Sequence, residues 1–234
     1  MTRLSFISDE DLERAIKNVV TSVRKKTSNI EKTFNKNIID PFSTLFEIAC
    51  TSIDEASWKK SEEIRQIQKN LSNSIGNFHQ VILGSIYGWE VVPAGGSIDI
   101  INRSKKIIAE IKNKYNTLNA LGQKATYEGL QEQVMQKNNQ YKDYTAYLVE
   151  IVPKKAIRYN TAFIPSDKST GIKFPENSLI RKIDGYSFYA LASGVEDALE
   201  QLFEEIPNII SSFSSEPILN SEFVKKLFRS CYFE

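Results

Sequence analysis

The sequence predicts an α/β or α+β fold, in which a sheet with helices around it follows a helical N-terminal region. Three observations predict it. Apolar residues recur at helical spacing as far as Tyr87, isoleucine-rich segments typical of strands follow Gly88, and helical spacing returns towards the C-terminus. Hydrophobic residues make up 41% of the 234 residues, which is enough for a sizeable core.

Three helices are predicted in the N-terminal region. The first covers residues 8–23, with Ser8 as its N-cap. The second covers 27–37, with Thr27 or Ser28 as its cap, and Pro41 opens the third, over 42–48.

A long helix, predicted over residues 56–87, follows them, and Gly76 is expected to kink it. Its apolar residues repeat at three- and four-residue steps. They form one continuous stripe that comprises Ile64, Ile67, Leu71, Ile75, Phe78 and Ile82.

Strands are predicted from residue 89 onwards, beginning with a short one over 89–92. Two isoleucine-rich runs, 97–102 and 106–112, flank a polar turn and predict a β-hairpin. The remaining elements are a helix over 125–137, strands over 146–152 and 157–164, an extended segment over 187–191, and helices over 195–213 and 221–230.

Composition limits the chemistry that the chain can perform. The net charge of +1 argues against indiscriminate electrostatic binding of nucleic acid, although it is compatible with one basic cleft. A single histidine and two cysteines exclude a site built on several histidines and a zinc site made of cysteines alone. The N-terminus lacks a signal-peptide pattern and no apolar run could span a bilayer, so we expect a cytoplasmic protein.

The hairpin is the candidate for the chemistry. If its centre falls between Ser104 and Lys105, the numbers of opposed residues add up to 209, and Asp99 lies opposite Glu110. Lys112 shares their face, since side chains alternate along a strand. The other face would be apolar and would comprise the pairs Ile98 with Ile111 and Ile100 with Ala109.

Two carboxylates at that separation repel each other unless something neutralises them. A hard divalent cation such as Mg²⁺ does so, because it prefers oxygen ligands from one or two carboxylates together with substrate phosphate. The ammonium of Lys112 would orient a water or balance charge on a phosphate, and deprotonation of the water is a variant of this role. The alternative is an ordinary hairpin in which Lys112 forms a salt bridge with a carboxylate.

The pattern of Asp99, ten residues, then Glu110-Ile-Lys112 resembles the signature of PD-(D/E)XK nucleases, although Ile98 stands where the proline is usual. Three further blocks are similar to type II restriction endonucleases that recognise GGNCC, and the likeness extends over residues 5–210. The blocks are Glu110-Ile-Lys-Asn-Lys-Tyr-Asn-Thr117, then Ile75-Gly-Asn-Phe-His-Gln-Val-Ile-Leu-Gly84 with Gly88-Trp89, and Ile183-Asp-Gly-Tyr-Ser-Phe-Tyr189.

The resemblance implies a restriction-endonuclease-like core, with a central mixed β-sheet flanked by helices. It implies Mg²⁺-dependent cleavage of both strands of double-stranded DNA, 5′-phosphate ends, a homodimer and a cognate DNA methyltransferase. We expect a single nuclease domain over 1–234, with a helical extension (1–55), a catalytic core (56–213) and a C-terminal helix (214–234).

The resemblance also assigns roles at the hairpin. Asp99 and Glu110 would bind the metal, with the backbone carbonyl of Ile111 as a further ligand, and Lys112 would be the catalytic lysine. Another ligand is expected from the preceding helix, where Gln80 is the candidate and Glu63 the alternative.

Several polar and basic residues are candidates for contacts with DNA phosphates or bases, since side chains such as arginine and lysine read guanine. They are Asn113, Lys114, Asn116, Thr117, Lys154, Lys155, Arg158, Asn160 and Arg181. His79, Trp58 and Trp89 are expected in the core instead.

Two other functions remain open from the sequence. One is a structure-specific nuclease of DNA repair or recombination with the same core. The other is a DNA-binding module without catalytic activity, in which the acidic hairpin is only structural.

Overall fold

A six-stranded mixed sheet organises the protein in a computed structural model that describes residues 2–93, 95–167, 170–214 and 222–233. The strand order is β1-β2-β3-β4-β6-β5. The pairs β3 with β4 and β4 with β6 are parallel, and the others are antiparallel. The strands are β1 (Glu90–Val91), β2 (Ile100–Asn102), β3 (Ile107–Lys114), β4 (Thr145–Val152), β5 (Asn160–Ala162) and β6 (Ile180–Asp184).

Helices precede, connect and follow these strands, which confirms the predicted α/β class with a helical N-terminal region. They are α1 (Asp9–Ser28), α2 (Ile30–Thr33), α3 (Pro41–Thr51), α4 (Glu55–Ser85), α5 (Ala120–Met135), α6 (Gly185–Ser193), α7 (Ala198–Phe213) and α8 (Glu222–Tyr232). None of the helices in the described ranges is long and apolar enough to cross a membrane.

The chain divides into two compact units, residues 17–77 and residues 1–16 with 78–234. The sheet lies in the second of these. The predicted boundaries at 55 and 213 stay predictions, and residues 215–221 of the expected C-terminal segment, like residue 234, lie outside the described residues.

Polar contacts join the helices of the small unit. Ser22 Oγ donates to Asn70 Oδ1 (3.3 Å), and Lys26 Nζ donates to the buried Gln66 Oε1 (3.3 Å). The predicted helix over 27–37 is wrong, because α1 continues to Ser28 and only the short α2 and a 3₁₀ turn follow. Thr27 is no cap, since its hydroxyl donates to the Val23 carbonyl one turn back.

The long helix α4 is continuous through Gly76, where we expected a kink. Its predicted apolar stripe is not buried along its whole length. Ile64 and Leu71 are 48% and 39% exposed, whereas Phe78 and Ile82 are buried. Only the C-terminal part of α4 belongs to the unit that contains the sheet. The apolar residues of this part, such as Phe78 and Ile82, are buried in the core of that unit.

Helix α5 covers one face of the sheet, with Tyr127 and Leu130 packed in one cluster with Ile101 and Ile108. Helix α6 lies against the other face. The rings of Phe188 and Tyr147 are 5.7 Å apart. A Cβ on Gly185 would lie 2.4 Å from the Ile151 carbonyl oxygen, so only glycine permits this approach.

The extended segment predicted over 187–191 is wrong. The segment 187–191 is helical, and the strand lies just before it, over Ile180–Asp184. The run Tyr-Ser-Phe-Tyr alternates like a strand, but Asp184 caps a helix there by accepting a hydrogen bond from Ser187 N (2.9 Å). Gly194, at φ 76°, ends that helix in the left-handed conformation.

Other boundaries move by a few residues. Helix α5 begins at Ala120, because the side chain of Asn119 caps it, and the predicted strand over 157–164 is only three residues long. Helix α7 begins at Ala198 instead of 195. The predicted helix over 221–230 is α8, and residue 221 itself lies outside the described residues.

Candidate active site

The hairpin of β2 and β3 has the predicted register. Ile100 pairs with Ala109, Ile101 with Ile108, and Asn102 with Ile107, so each pair of numbers adds up to 209. Asn102 Oδ1 holds the turn by accepting hydrogen bonds from Ser104 Oγ and Lys105 N, both 2.9 Å long.

The regular ladder stops before it reaches Asp99, so the predicted backbone pairing of Asp99 with Glu110 is wrong. Asp99 N still donates to the Ala109 carbonyl (2.8 Å), but its carboxylate, through Oδ2, accepts a hydrogen bond from Ile111 N (2.7 Å). A side-chain oxygen therefore takes the place of a backbone acceptor. As a result Ile98 does not pair with Ile111 but packs in the cluster of Ile101.

Glu110 and Lys112 share one face of β3, as predicted. Lys112 Nζ lies 2.5 Å from Glu110 Oε1. The side chain of Lys112 is only 22% exposed and that of Glu110 only 14%, so this ion pair is shielded from solvent much more than an ordinary surface pair. The salt bridge that the structural alternative requires is thus present, and it lies beside a second carboxylate, that of Asp99.

At Glu110, the negative charge of the two carboxylates is not fully balanced by the ammonium of Lys112. Burial, and then repulsion by the Asp99 carboxylate, raise the pKa of Glu110 from its ordinary value of 4.5 to about 7. Lys112 opposes this shift but does not cancel it. One ammonium therefore faces two carboxylates, and a further cation would be stabilised there.

The donor set fits a hard divalent cation. Among the described residues there is no cluster of three or more histidine, cysteine or acidic side chains that could enclose a metal by themselves. Mg²⁺ does not require one, because it keeps several waters and binds one or two carboxylates together with substrate phosphate. Asp99 and Glu110 provide that number of carboxylates, close together on the hairpin.

The polar face continues onto the neighbouring strands, which sequence reasoning missed. Glu150 on β4 pairs with Lys112 in the parallel register and is 4% exposed. Its Oε1 lies 2.8 Å from Lys182 Nζ, and its Oε2 accepts a hydrogen bond from Tyr159 OH (2.6 Å). The available signal was a glutamate inside the apolar run 146–152, because carboxylates are seldom fully buried without a partner.

Two of the predicted DNA-contacting segments follow β3 and β4 at the carboxyl edge of the parallel strands. After β3, a turn is closed by hydrogen bonds between Lys114 and Thr117, and it includes the exposed Asn116. Lys154 and Lys155 are exposed in the loop after β4. Because parallel strands end at one edge, both segments lie at the edge that carries Lys112 and Asn113.

The other three predicted contacts are engaged within the protein. Arg158 NH1 lies 2.5 Å from Glu196 Oε1, and its guanidinium stacks 3.9 Å from the centre of the Tyr186 ring. Arg181 Nε donates to Asn160 Oδ1 (2.6 Å). Arg181 also precedes Lys182 on β6 and so points to the opposite face from it. Their roles in reading bases stay predictions.

The remaining predicted residues lie on α4 or in the core. Gln80 and Glu63 are on α4, half-buried, and their roles as metal ligands stay predictions. His79 is packed and hydrogen-bonded as expected, with Nδ1 2.9 Å from Tyr189 OH. Trp58 and Trp89 are buried, which confirms their assignment to the core.

Comparison with known proteins adds an independent finding. Residues 4–215 match the family model of the Eco47II restriction endonuclease. The chain is 45% identical over 216 residues to the type II restriction enzyme Eco47II of Escherichia coli, covering 92% of this chain and 90% of that protein. It is 31% identical over 209 residues to the type II restriction enzyme Sau96I of Staphylococcus aureus, covering 87% and 78%.

Proposed function

Because the chain belongs to the Eco47II restriction endonuclease family, we propose that Asp99, Glu110 and Lys112 are the residues with which it hydrolyses DNA. The protein is a type II site-specific deoxyribonuclease of a restriction–modification system, and its family implies a divalent metal cofactor. The observation that carries the assignment is the half-buried pair of carboxylates beside one lysine. It favours this function over a purely structural hairpin.

The proposed cofactor is Mg²⁺, held by Asp99 and Glu110, with the carbonyl of Ile111 and the side chain of Gln80 as further candidate ligands. Bound there, Mg²⁺ would act as a Lewis acid on the scissile phosphate and lower the pKa of a bound water. Asp99 is already fixed for this role by its hydrogen bond from Ile111 N. Glu110 is held by the ammonium of Lys112.

Lys112 has the role of positioning and charge stabilisation. Its ammonium orients the attacking water and balances the negative charge that develops on the phosphate. The phosphate remains on the 5′ end after the leaving 3′ oxygen takes up a proton, which gives the predicted 5′-phosphate products.

The proposed target is double-stranded DNA with the site GGNCC, cut by a homodimer that places one active site on each strand. A cognate DNA methyltransferase would protect the host's own sites. Lys154 and Lys155, exposed at the same sheet edge as Lys112, are proposed to contact the DNA backbone. Asn113, Lys114, Asn116 and Thr117 are proposed to bind nearby.

Digestion of a plasmid with GGACC and GGGCC sites, followed by sequencing of the ends, tests these proposals. We expect discrete fragments with 5′-phosphates at both sites in Mg²⁺, and none in EDTA. Cleavage at only one of the two sites would narrow the specificity, and cleavage that depends on branches would instead favour a repair nuclease.

Substitution tests the residues themselves. Asp99→Asn and Lys112→Met should lose cleavage while still binding the site in Ca²⁺, with a thermal midpoint close to that of the unaltered protein. Normal cutting by either variant would refute its assignment. Sedimentation of the protein with and without a DNA duplex tests the homodimer.

A further inference from the structure

Glu150 lies where it can act on the reaction through Lys112. Strands β3 and β4 are parallel, and their register pairs Lys112 with Glu150 and Glu110 with Leu148. Neighbouring strands are about 4.8 Å apart, and paired residues point to the same face. Leu148 carries no charge, so Glu150 is the acidic residue that β4 contributes next to the lysine.

The metal and Lys112 compete for one carboxylate. Lys112 Nζ is bonded to Glu110 Oε1 at 2.5 Å, and Glu110 is also a proposed metal ligand. A divalent cation bound to that carboxylate would withdraw electron density from it, and the carboxylate would then bind the Lys112 ammonium less strongly. An ammonium has three N–H donors and needs another acceptor to stay oriented.

Glu150 is equipped to be that acceptor. Lys182 and Tyr159 each occupy one of its oxygens, at 2.8 and 2.6 Å, and so fix the carboxylate in place. A carboxylate has about four lone-pair positions, so further hydrogen bonds remain possible. A buried carboxylate is costly to keep, and a position inside a strand as apolar as β4 does not need one for packing.

We infer that Glu150, fixed by Lys182 and Tyr159, is a positioning residue that orients the Lys112 ammonium when a metal occupies Asp99 and Glu110. The inference rests on the proposed function. It does not make Glu150 a metal ligand, and the two roles predict different measurements.

Glu150→Gln is the decisive variant, because it keeps the shape and the acceptor for Tyr159 OH but removes the charge. We expect the single-turnover cleavage rate at saturating Mg²⁺ to fall by about ten- to a hundred-fold, as for other residues that orient a catalytic group. The affinity for site DNA in Ca²⁺ and the Mg²⁺ concentration for half-maximal rate should stay within about two-fold. Glu150→Asp, which retains the charge, should recover part of the rate and also serves if the glutamine variant fails to fold.

Tyr159→Phe is the matched control, since it removes one hydrogen bond from the same carboxylate and leaves the charge in place. Its rate should fall by no more than about three-fold. A folded Glu150→Gln protein that cuts at the original rate would overturn the inference. A shift in the Mg²⁺ requirement of Glu150→Gln would also overturn it, because it would indicate that Glu150 is a metal ligand. A loss confined to DNA affinity would overturn it as well.

Lys112→Met and Asp99→Asn are measured in parallel, so that failures of the two proposals can be told apart. If these variants cut normally, the proposed active site is wrong. If they are inactive and both Glu150 variants match the unaltered protein, only the positioning role is wrong.

Discussion

Glu110 is subject to opposing demands, since its proposed role as a metal ligand needs its charge, whereas its surroundings disfavour that charge. The pKa of about 7 in the metal-free protein exceeds the ordinary 4.5 because of burial and the nearby Asp99. Between those two pH values the folded state keeps a proton that the unfolded chain has released. The folded state is therefore favoured at low pH, and this advantage is lost as the pH rises through 7.

Glu110→Gln should consequently abolish cleavage and stabilise the metal-free protein at alkaline pH. At pH 8 in EDTA we expect a gain of roughly 1–3 kcal/mol in the free energy of unfolding, which should nearly vanish at pH 5. Urea unfolding at both pH values measures it. An equal gain at pH 5 and pH 8 would show that the effect is not one of charge.

His79 provides the opposite pH dependence outside the proposed site. Burial lowers its pKa from 6.5 to about 4, so the unfolded chain binds a proton that the folded protein rejects. Stability is therefore complete above pH 6.5 and is lost as the pH falls through 4. We therefore compare the free energy of unfolding of His79→Gln with that of the unaltered protein at two pH values. The variant should gain roughly 1–3 kcal/mol relative to the unaltered protein when the pH is lowered from 7.5 to 4.5. An unchanged difference between the two pH values would contradict this.

At the scale of elements, the approach of α5 to the segment before β2 fixes Asp99. A Cβ on Gly129 would lie 2.8 Å from Ser97 Cβ, and Ser97 Oγ donates to the Gly129 carbonyl (3.4 Å). Ser97 is two residues before Asp99. Helix α5 therefore contacts the chain directly before the hairpin that carries Asp99.

Gly129→Ala should separate these elements. Alanine favours a helix by about 1 kcal/mol over glycine, but the overlap with Ser97 should outweigh this and destabilise the protein by about 1–3 kcal/mol. We also expect slower cleavage, because Asp99 moves. Gly76→Ala is the control, since nothing lies within 4 Å of its added methyl, and it should be neutral or stabilising. Thermal unfolding and cleavage rates are measured for both variants. Equal effects of Gly129→Ala and Gly76→Ala would refute the role of the contact between Gly129 and Ser97.

The hairpin register could be predicted because it depends on local features, two isoleucine-rich runs and a polar turn. The departure of Asp99 from the ladder could not, since period-two alternation assumes a regular pleat and ignores a carboxylate that replaces a carbonyl. Helix α6 was mistaken for a strand for a related reason. Its aromatic residues alternate, but the cap at Asp184 determines its conformation.

At the scale of the whole molecule, the order of elements predicted the fold class, while the sheet order required pairings between distant segments. Strand β6 lies between β4 and β5, although β5 precedes it in the chain. That arrangement brings Lys182 beside Leu148 and thus within reach of Glu150. No local pattern indicates this neighbourhood, which is why the second half of the polar face was missed.

The same topology separates the lysines at the two edges of the sheet. The chain is nearly neutral, so its attraction for DNA must be concentrated on part of its surface. Lys154 and Lys155 follow β4 at the carboxyl edge, where Lys112 lies, whereas Lys137 and Lys142, which are also exposed, precede β4 at the opposite edge. The two pairs therefore form a matched set for testing which edge faces the DNA.

Replacing Lys154 and Lys155 together by alanine should weaken binding to site DNA in Ca²⁺ and reduce the slope of log affinity against log salt by about 2. The double alanine variant of Lys137 and Lys142 should leave the slope unchanged, although it removes the same charge. Titrations from low to high salt measure both. Equal changes in slope would mean that net charge alone governs binding, and a change only in the control would place the DNA at the amino edge, away from the proposed active site.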